Sequence, residues 1–202
     1  MSSEWLSFVV AIALGAGVLF VFGRYNSLVR ARNRTQEAWS GIEVQLRRRA
    51  SLIPNLLEIV RGYAEHEREV FEQVAYARGA MQKADGAGQS GAASNLLTQA
   101  LGRLLAVVEN YPQLRASEIF LSLREDLRDT EEKIAFARQF YNRNVLDYNT
   151  RIQTYPDAPL AQYFGFTAGE FFETDAEGHS EQHMSFNRSA AQPPKPASPS
   201  AA

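Results

Sequence analysis

The apolar run from Trp5 to Phe22 is the feature that most constrains what this chain can fold into. It contains no charged side chain and is closed by Arg24. At the helical rise, such a run is long enough to cross most of the hydrocarbon core of a bilayer. We therefore predict a transmembrane helix over residues 5–23, anchored by Trp5, Phe22 and Arg24, with residues 1–4 on the opposite side of the membrane from the rest of the chain.

A cleaved signal peptide is the alternative interpretation of this run. Signal peptides carry positive charge before the apolar stretch and small residues at the cleavage site. Here Glu4 precedes the run without any Lys or Arg, and no Ala-x-Ala follows Phe22. Arg24 and three further arginines follow the run by residue 34. The positive-inside rule then predicts a single-pass protein of the cell inner membrane, with its N-terminus outside and its folded domain in the cytoplasm.

Composition limits the possible functions without selecting one. The chain has 202 residues, a formal net charge of -2 and no cysteine. The balance of charge gives no reason to expect a nucleic-acid partner. The absence of cysteine excludes disulfides and thiolate chemistry. Without the anchor and a tail, the remaining length is enough for one domain with its own core.

A heptad-like apolar pattern begins at Tyr25 and predicts a long helix that packs on other helices, as in a coiled coil. The same phase continues to Met81, so we expect the first helix to reach about that residue. Pro54 interrupts the run and predicts a kink near Ala50. The residues at spacings of three and four are Leu28, Arg32, Thr35, Trp39, Ile42, Leu46, Arg49, Ile53, Leu56, Val60 and Tyr63.

The Gly/Ala/Ser-rich segment at residues 85–94 predicts a linker. It includes a literal G-x-G-x-x-G, but a dinucleotide fingerprint requires a strand before it, and a charged helix precedes it here. A second helix is predicted to begin after Ser94 or Asn95 and to end before Pro112. A third is predicted from about Arg115 to Tyr155.

The resulting fold is predicted to be all-α. The N-terminal transmembrane helix is followed by an antiparallel bundle of three main long helices within residues 24–172. Its aromatic last part, residues 160–172, is expected to dock on the end of the bundle. The composition of residues 173–202 cannot bury enough apolar surface to offset the entropy of ordering, which predicts a disordered tail.

Motifs of catalysis and of metal binding are absent from the sequence. A di-iron bundle requires Glu-x-x-His motifs, but the bundle has only His66 and no such motif. His179 and His183 lie in the predicted tail and do not follow the order of a metalloprotease site. No nucleophile elbow, Ser-x-x-Lys or phosphate loop occurs. We therefore predict no enzymatic activity, no catalytic residue, no cofactor and no metal.

Short motifs along residues 25–172 resemble those of the LemA family. The segments that carry the resemblance are YNSLV at 25–29, RN at 32–33, AW at 38–39, VQLRRR at 44–49, LIPNL at 52–56, GYA at 62–64, HE at 66–67, ENYP at 109–112, LRA at 114–116, AR at 137–138, YN at 141–142 and YN at 148–149. Two positions depart from the family pattern. Ser51 stands where an acidic residue is usual, and Thr35 stands where valine is usual.

The resemblance implies a membrane-anchored antiparallel helical bundle with no established enzymatic activity. The residues within these motifs that we expect to hold the bundle together are Trp39, Leu46, Ile53, Pro54, Asn55, Leu56, Tyr63, Tyr111, Pro112, Tyr141 and Tyr148. Two further groups are candidates for interaction: the basic cluster Arg47, Arg48 and Arg49, and the aromatic residues Phe164, Phe166, Phe171 and Phe172. The distance of the basic cluster from the membrane favours pairing inside the bundle over lipid contact.

The expected function is that of a scaffold or interaction module at the inner membrane. Its partners would be the lipid bilayer, further copies of the chain in a homo-oligomer, or another membrane protein. An adaptor that recruits a membrane enzyme in envelope stress or membrane proteolysis is the alternative, and an enzyme of unknown type is a third.

The predicted orientation is tested by fusing reporters that are active on only one side of the membrane to a site after Ser189. We expect signal from the cytoplasmic reporter alone, because the arginines that follow the run hold their flank inside. A periplasmic signal would show that the orientation is reversed.

Overall fold

The structure is a computed structural model that describes residues 2–64 and 66–172, with side chains from residue 4 onward. These residues form helices and connecting turns, without a strand in the described ranges. The tail at residues 173–202, for which the sequence predicts disorder, lies outside the described residues, as do His179 and His183. The helices are α1 (Ser2–Arg61), α2 (Arg68–Lys83), α3 (Gly86–Val108), α4 (Pro112–Arg115), α5 (Glu118–Gln153) and α6 (Asp157–Tyr163).

Helix α1 combines the predicted anchor and the first helix of the bundle in one unbroken element of 60 residues. Its apolar N-terminal part is exposed on every side, including Trp5 and Phe22. In the described part of the chain it is the one helix long and apolar enough to cross a membrane. A helix that is apolar all round requires an apolar environment on all faces. The bundle provides no such environment for this stretch.

Helices α1 and α5 form an antiparallel pair that contributes most of the core. The Arg48 side chain bonds to Asp129 and the Thr35 hydroxyl bonds to the backbone carbonyl of Asn144, so the two helices run in opposite directions. Most apolar residues of the seam predicted on α1 are buried in the bundle, which confirms that part of the prediction, whereas Arg32 and Tyr63 of the same seam are exposed. The buried apolar residues of the two helices include Leu28, Ile42, Ile53, Leu56, Val60, Phe120, Ile134 and Val145.

The first helix does not continue to Met81, contrary to the prediction from its apolar phase. It ends at Arg61, where the N–H groups of Tyr63 and Ala64 both bond to the carbonyl of Val60, at 3.1 and 2.9 Å. Gly62 follows the last helical residue, and glycine is a poor helix former. The chain then turns, and α2 buries Phe71, Val74, Ala77 and Met81 as a separate helix. The apolar spacing that continues from α1 to Met81 therefore arises from two separate helices that pack into the same core.

The Gly/Ala/Ser segment is helical and not a linker, which corrects a second prediction. Helix α3 begins at Gly86, well before Ser94 and Asn95. Small side chains let two helices approach closely, so this stretch packs its backbone against α2 instead of leaving the bundle. The buried small residues are Ala87, Ser90, Gly91, Ala93 and Ser94.

The ends of α3 and α5 lie close to the positions that the sequence predicted from its prolines. Helix α3 ends at Val108, and Pro112 begins the short α4, where a missing N–H costs no helical hydrogen bond. Helix α5 occupies Glu118–Gln153, close to the predicted range. Pro54 is exposed within the continuous α1, and the kink at this position remains a prediction.

Burial of Leu56 predicts a large effect of its truncation. Its side chain is fully buried between α1 and the rest of the core. Leu56→Ala should lower the free energy of unfolding of the full-length protein in detergent by about 2–5 kcal/mol, because it leaves a cavity. Leu146→Ala is the control, since Leu146 is exposed on α5. Equal denaturation midpoints for the two variants would contradict the assignment of Leu56 to the core.

Candidate functional site: the clamped C-terminal segment

Residues 164–172, here called the C-terminal segment, lie along the groove between α1 and α5. The sequence predicted residues 160–172 at the bundle end; the part in α6 lies there beside Arg24, whereas the C-terminal segment runs back along α5. The segment contains no helix or strand. Its backbone polar groups must therefore find partners outside regular secondary structure. Side chains of α5 provide several of those partners.

Two asparagines of α5 each bind one residue of the segment in both directions. Asn142 Nδ2 donates to the carbonyl of Phe172 at 3.1 Å, while its Oδ1 accepts from the N–H of Phe172 at 2.9 Å. Asn149 does the same to Gly169, at 3.0 and 2.8 Å. Each carboxamide thus satisfies both backbone groups of a residue, as a neighbouring strand would.

Two tyrosines precede these asparagines and add a second pair of contacts. Tyr141 Oη donates to the carbonyl of Glu170 at 2.8 Å, and Tyr148 Oη donates to that of Thr167 at 2.9 Å. Burial raises the pKa of both hydroxyls; the nearby Glu170 carboxylate adds to the shift at Tyr141, while Arg32 opposes it at Tyr148. Both groups therefore remain donors at neutral pH.

The two Tyr-Asn pairs are seven residues apart, so they lie on the same face of α5. Together they form what we call the Tyr-Asn clamp, defined by Tyr141, Asn142, Tyr148 and Asn149. The tyrosines were predicted as bundle residues, and the structure gives them this more specific role. The role of the two asparagines was not predicted. Their repetition at heptad spacing, each directly after a tyrosine, was the signal in the sequence that could have indicated it.

The aromatic residues of the segment differ in exposure. Phe172 is 1 % exposed and packs near Trp39, with ring centroids 6.2 Å apart. This corrects its prediction as an interaction residue, because the clamp turns its ring into the core. Phe166 is half-buried against Tyr25, whereas Phe164 and Phe171 remain partly exposed.

A cleft of about 290 Å³ opens between the segment, α1, α5 and the start of α3. Glu170 extends toward the first turn of α3, where Cβ atoms at Gly86 or Gly88 would lie 3.7 Å from its Oε2. A carboxylate is favourable at a helix N-terminus, and Gly86 has a φ of +76° that favours glycine. The backbone conformation therefore favours glycine at Gly86, whereas a Cβ at Gly88 would make only an ordinary van der Waals contact with Glu170.

The basic cluster forms ion pairs within the chain, as its distance from the anchor suggested. Arg47 contacts Glu43 on its own helix, and Arg48 bonds to Asp129 at 2.9 Å. Asp129 also accepts a hydrogen bond from Lys133, which is the main reason why its pKa is lowered.

Arg49 is the buried member of the cluster. Its guanidinium contacts Glu131 at 2.7 Å and Thr98 at 3.0 Å. Burial lowers its pKa, and Glu131 partly offsets this effect. Arg49 therefore joins α1, α3 and α5 and is not available to an external partner, which corrects its prediction as an interaction residue.

Arg24 and Asp157 form a two-pronged ion pair at the membrane-proximal end of the bundle. Arg24 Nε and Nη2 donate to the two carboxylate oxygens of Asp157 at 2.5 and 2.6 Å. Asp157 is buried at the start of α6. The pair fixes α6 to α1 only two residues beyond the apolar run. Sequence reasoning assigned Arg24 to the anchor but did not identify its partner.

The remaining predicted residues are distributed along the bundle. Leu46 and Ile53 belong to the core, while Pro54 and Asn55 are exposed on α1. Tyr63 is exposed in the turn after α1, and Tyr111 packs partly against the core beside Pro112. Among the described residues, no group of three or more His, Cys, Asp or Glu side chains is placed to hold a metal ion.

The LemA family model matches residues 38–186 of this chain. The chain belongs to the LemA family. The matched range includes most of the bundle and the whole clamp, whereas the apolar run of α1 precedes it. This run lies outside the matched range and is long, apolar and exposed enough to cross a membrane.

Three relatives illustrate the similarity of this LemA-family chain to other proteins. Magnetosome protein MamQ of Magnetospirillum gryphiswaldense is 26 % identical over 84 % of this chain and 72 % of its own length. Magnetosome protein MamQ 2 of Paramagnetospirillum magneticum is 27 % identical over 86 % and 73 %. Protein LemA of Metamycoplasma hominis is 26 % identical over 79 % and 74 %.

The clamp predicts that Asn142→Ala releases the end of the C-terminal segment. Loss of two hydrogen bonds should lower the free energy of unfolding by about 1–3 kcal/mol, because the backbone groups of Phe172 lose their partners. Amide hydrogen exchange should accelerate around Phe172. Asn144→Ala is the matched control, because the Asn144 side chain bonds only to Phe140 of its own helix. Identical exchange at Phe172 in both variants would contradict the role of the clamp.

Proposed function

We propose that this LemA-family protein is a non-enzymatic scaffold of the bacterial inner membrane, with its N-terminus outside and its bundle in the cytoplasm. The observation that carries the proposal is the continuity of α1, in which an exposed apolar stretch leads without interruption into the bundle core. Such a helix fixes the position of a folded domain relative to the bilayer. This architecture is suited to presenting the surface of the bundle to other molecules at a fixed distance from the membrane.

The charge distribution around the anchor supports the orientation. Arginines follow the apolar run, whereas only Glu4 among charged residues precedes it. LemA-family membership supports a membrane-associated protein without a catalytic role. The bundle would then present its surface to the cytoplasm.

Self-association of the chain is the mode of scaffolding that we propose. On the membrane-proximal part of α1, Thr35 faces α5 of its own chain and Arg32 lines the cleft. A better candidate is a pair of aromatic residues one helical turn apart on the outer face of α5. Phe136 and Phe140 are 73 % and 54 % exposed. Exposed aromatic pairs of this kind are typical of interaction surfaces.

The scaffold proposal predicts more than one copy per assembly. Native membranes that contain the fluorescently tagged full-length protein at native expression should be converted to nanodiscs and the bleaching steps counted. We expect several steps for the wild type and a shift to single steps for the F136S/F140S double variant, because the apolar contact is removed.

The control is Tyr76→Ser, which removes an equally exposed aromatic residue from α2 and should leave the count unchanged. Single steps for the wild type would remove the scaffold proposal. Co-purification of a membrane enzyme in equal amounts would then favour the adaptor function.

A further inference from the structure

We propose that α6 and its flanking residues form an aromatic surface that lies in the headgroup region of the same bilayer that α1 crosses. The surface consists of Tyr155, Tyr163 and Phe164, supported by Tyr25 of α1. This inference rests on the membrane anchorage proposed above. It assigns a ligand, the lipid interface, to the exposed face of this part of the chain.

The position of this surface relative to the membrane follows from two side-chain contacts with α1. Arg24, two residues beyond the apolar run, holds Asp157 at the start of α6. Arg151 bonds to Ser27 at 3.1 Å, and α5 continues two more residues toward the membrane before it ends. Ser27 lies only about 4.5 Å beyond Arg24 along a helix. The end of α5 and all of α6 are therefore level with the edge of the apolar run.

The aromatic rings are at the same level. The ring centroids of Tyr25 and Phe164 are 4.9 Å apart, and those of Phe164 and Tyr163 are 5.1 Å apart. The headgroup region on each side of a bilayer is about 5–8 Å thick. A ring cluster attached to Tyr25, the residue directly after Arg24, falls within this thickness.

Exposure of these rings is high. Tyr155 is 89 % exposed and Tyr163 is 83 % exposed. Tyrosine is enriched at membrane interfaces because its ring is apolar and its hydroxyl is polar. Two nearly uncovered tyrosines at this height fit the lipid interface as their partner.

The charge of the segment also fits a lipid surface. Across residues 154–169 the only charged side chain is Asp157. It is buried and paired with Arg24, so the surface does not present its negative charge to the membrane. An uncharged aromatic surface that continues the apolar face of an anchor matches the bilayer edge better than an aqueous boundary.

Spin labels on introduced cysteines test this inference, because the full-length chain has no cysteine of its own. The variants Tyr163→Cys and Tyr155→Cys are labelled and reconstituted at low density into vesicles of phosphatidylethanolamine and phosphatidylglycerol. Collision rates of each label with oxygen, which concentrates in lipid, and with a water-soluble nickel complex are then compared. Leu14→Cys in the apolar run and Tyr76→Cys on α2 are the references, and both positions are exposed in the structure.

We expect the ratio of oxygen to nickel collision rates at residues 155 and 163 to be several-fold higher than at residue 76, and lower than at residue 14. A ratio equal to that at residue 76 would overturn the inference and place the surface in water. An immobile label shielded from both reagents would show that the bundle itself covers it, which also overturns the inference. Dipolar broadening that disappears on dilution with unlabelled protein would assign the surface to a second copy instead.

The reference at residue 14 separates this inference from the anchorage itself. A lipid-exposed label at residue 14 with water-exposed labels at 155 and 163 would leave the anchor intact and reject the aromatic surface. A water-exposed label at residue 14 would reject the anchor, and the inference that rests on it.

Discussion

The antiparallel packing of α5 against α1 is the interaction on which the other contacts of this protein depend. It buries the matching seams of both helices over a long distance, from Leu28 near the membrane to Phe120 at the far end. The groove between the two helices then receives different occupants along its length. The hairpin of α2 and α3 covers the distal part, and the C-terminal segment covers the proximal part.

Near Trp39, the element that covers the groove changes from the α2–α3 hairpin to the C-terminal segment. Several polar contacts lie at this level. At that level Phe172 enters the core, and Glu170 meets the first turn of α3. An extended segment exposes more backbone polar groups than a helix does, so it requires side-chain partners. The Tyr-Asn clamp supplies them from α5. Asn142 and Asn149 hold the segment through its backbone atoms, and the buried ring of Phe172 adds an apolar contact with the core.

Much of the fold was predictable because its signals are local. The anchor follows from an uninterrupted apolar run, the seams follow from spacing, and the ends of α3 and α5 follow from Pro112 and Pro156. The break after Arg61 was missed because the apolar phase continued through it. The start of α3 was missed because small residues serve equally well in a linker and in a close helix contact.

The candidate site was less predictable because its contacts join distant parts of the sequence. Asn142 and Phe172 are 30 residues apart, and Arg24 and Asp157 are 133 residues apart. No spacing rule relates such pairs. Composition and periodicity identified Tyr141, Tyr148 and Arg24 as members of motifs, but only the fold showed what each of them contacts.

The unbroken course of α1 has a mechanical consequence. From Arg24 to Arg61 the helix extends about 55 Å, so it acts as a lever whose short arm lies in the bilayer. Transmembrane helices adapt to bilayer thickness by tilting, on average by about 20°. For an anchored chain, a tilt of that size moves the far end of the bundle sideways by about 19 Å over this length. A small change in the thickness of the membrane is thereby converted into a large displacement of the turn that joins α1 to α2.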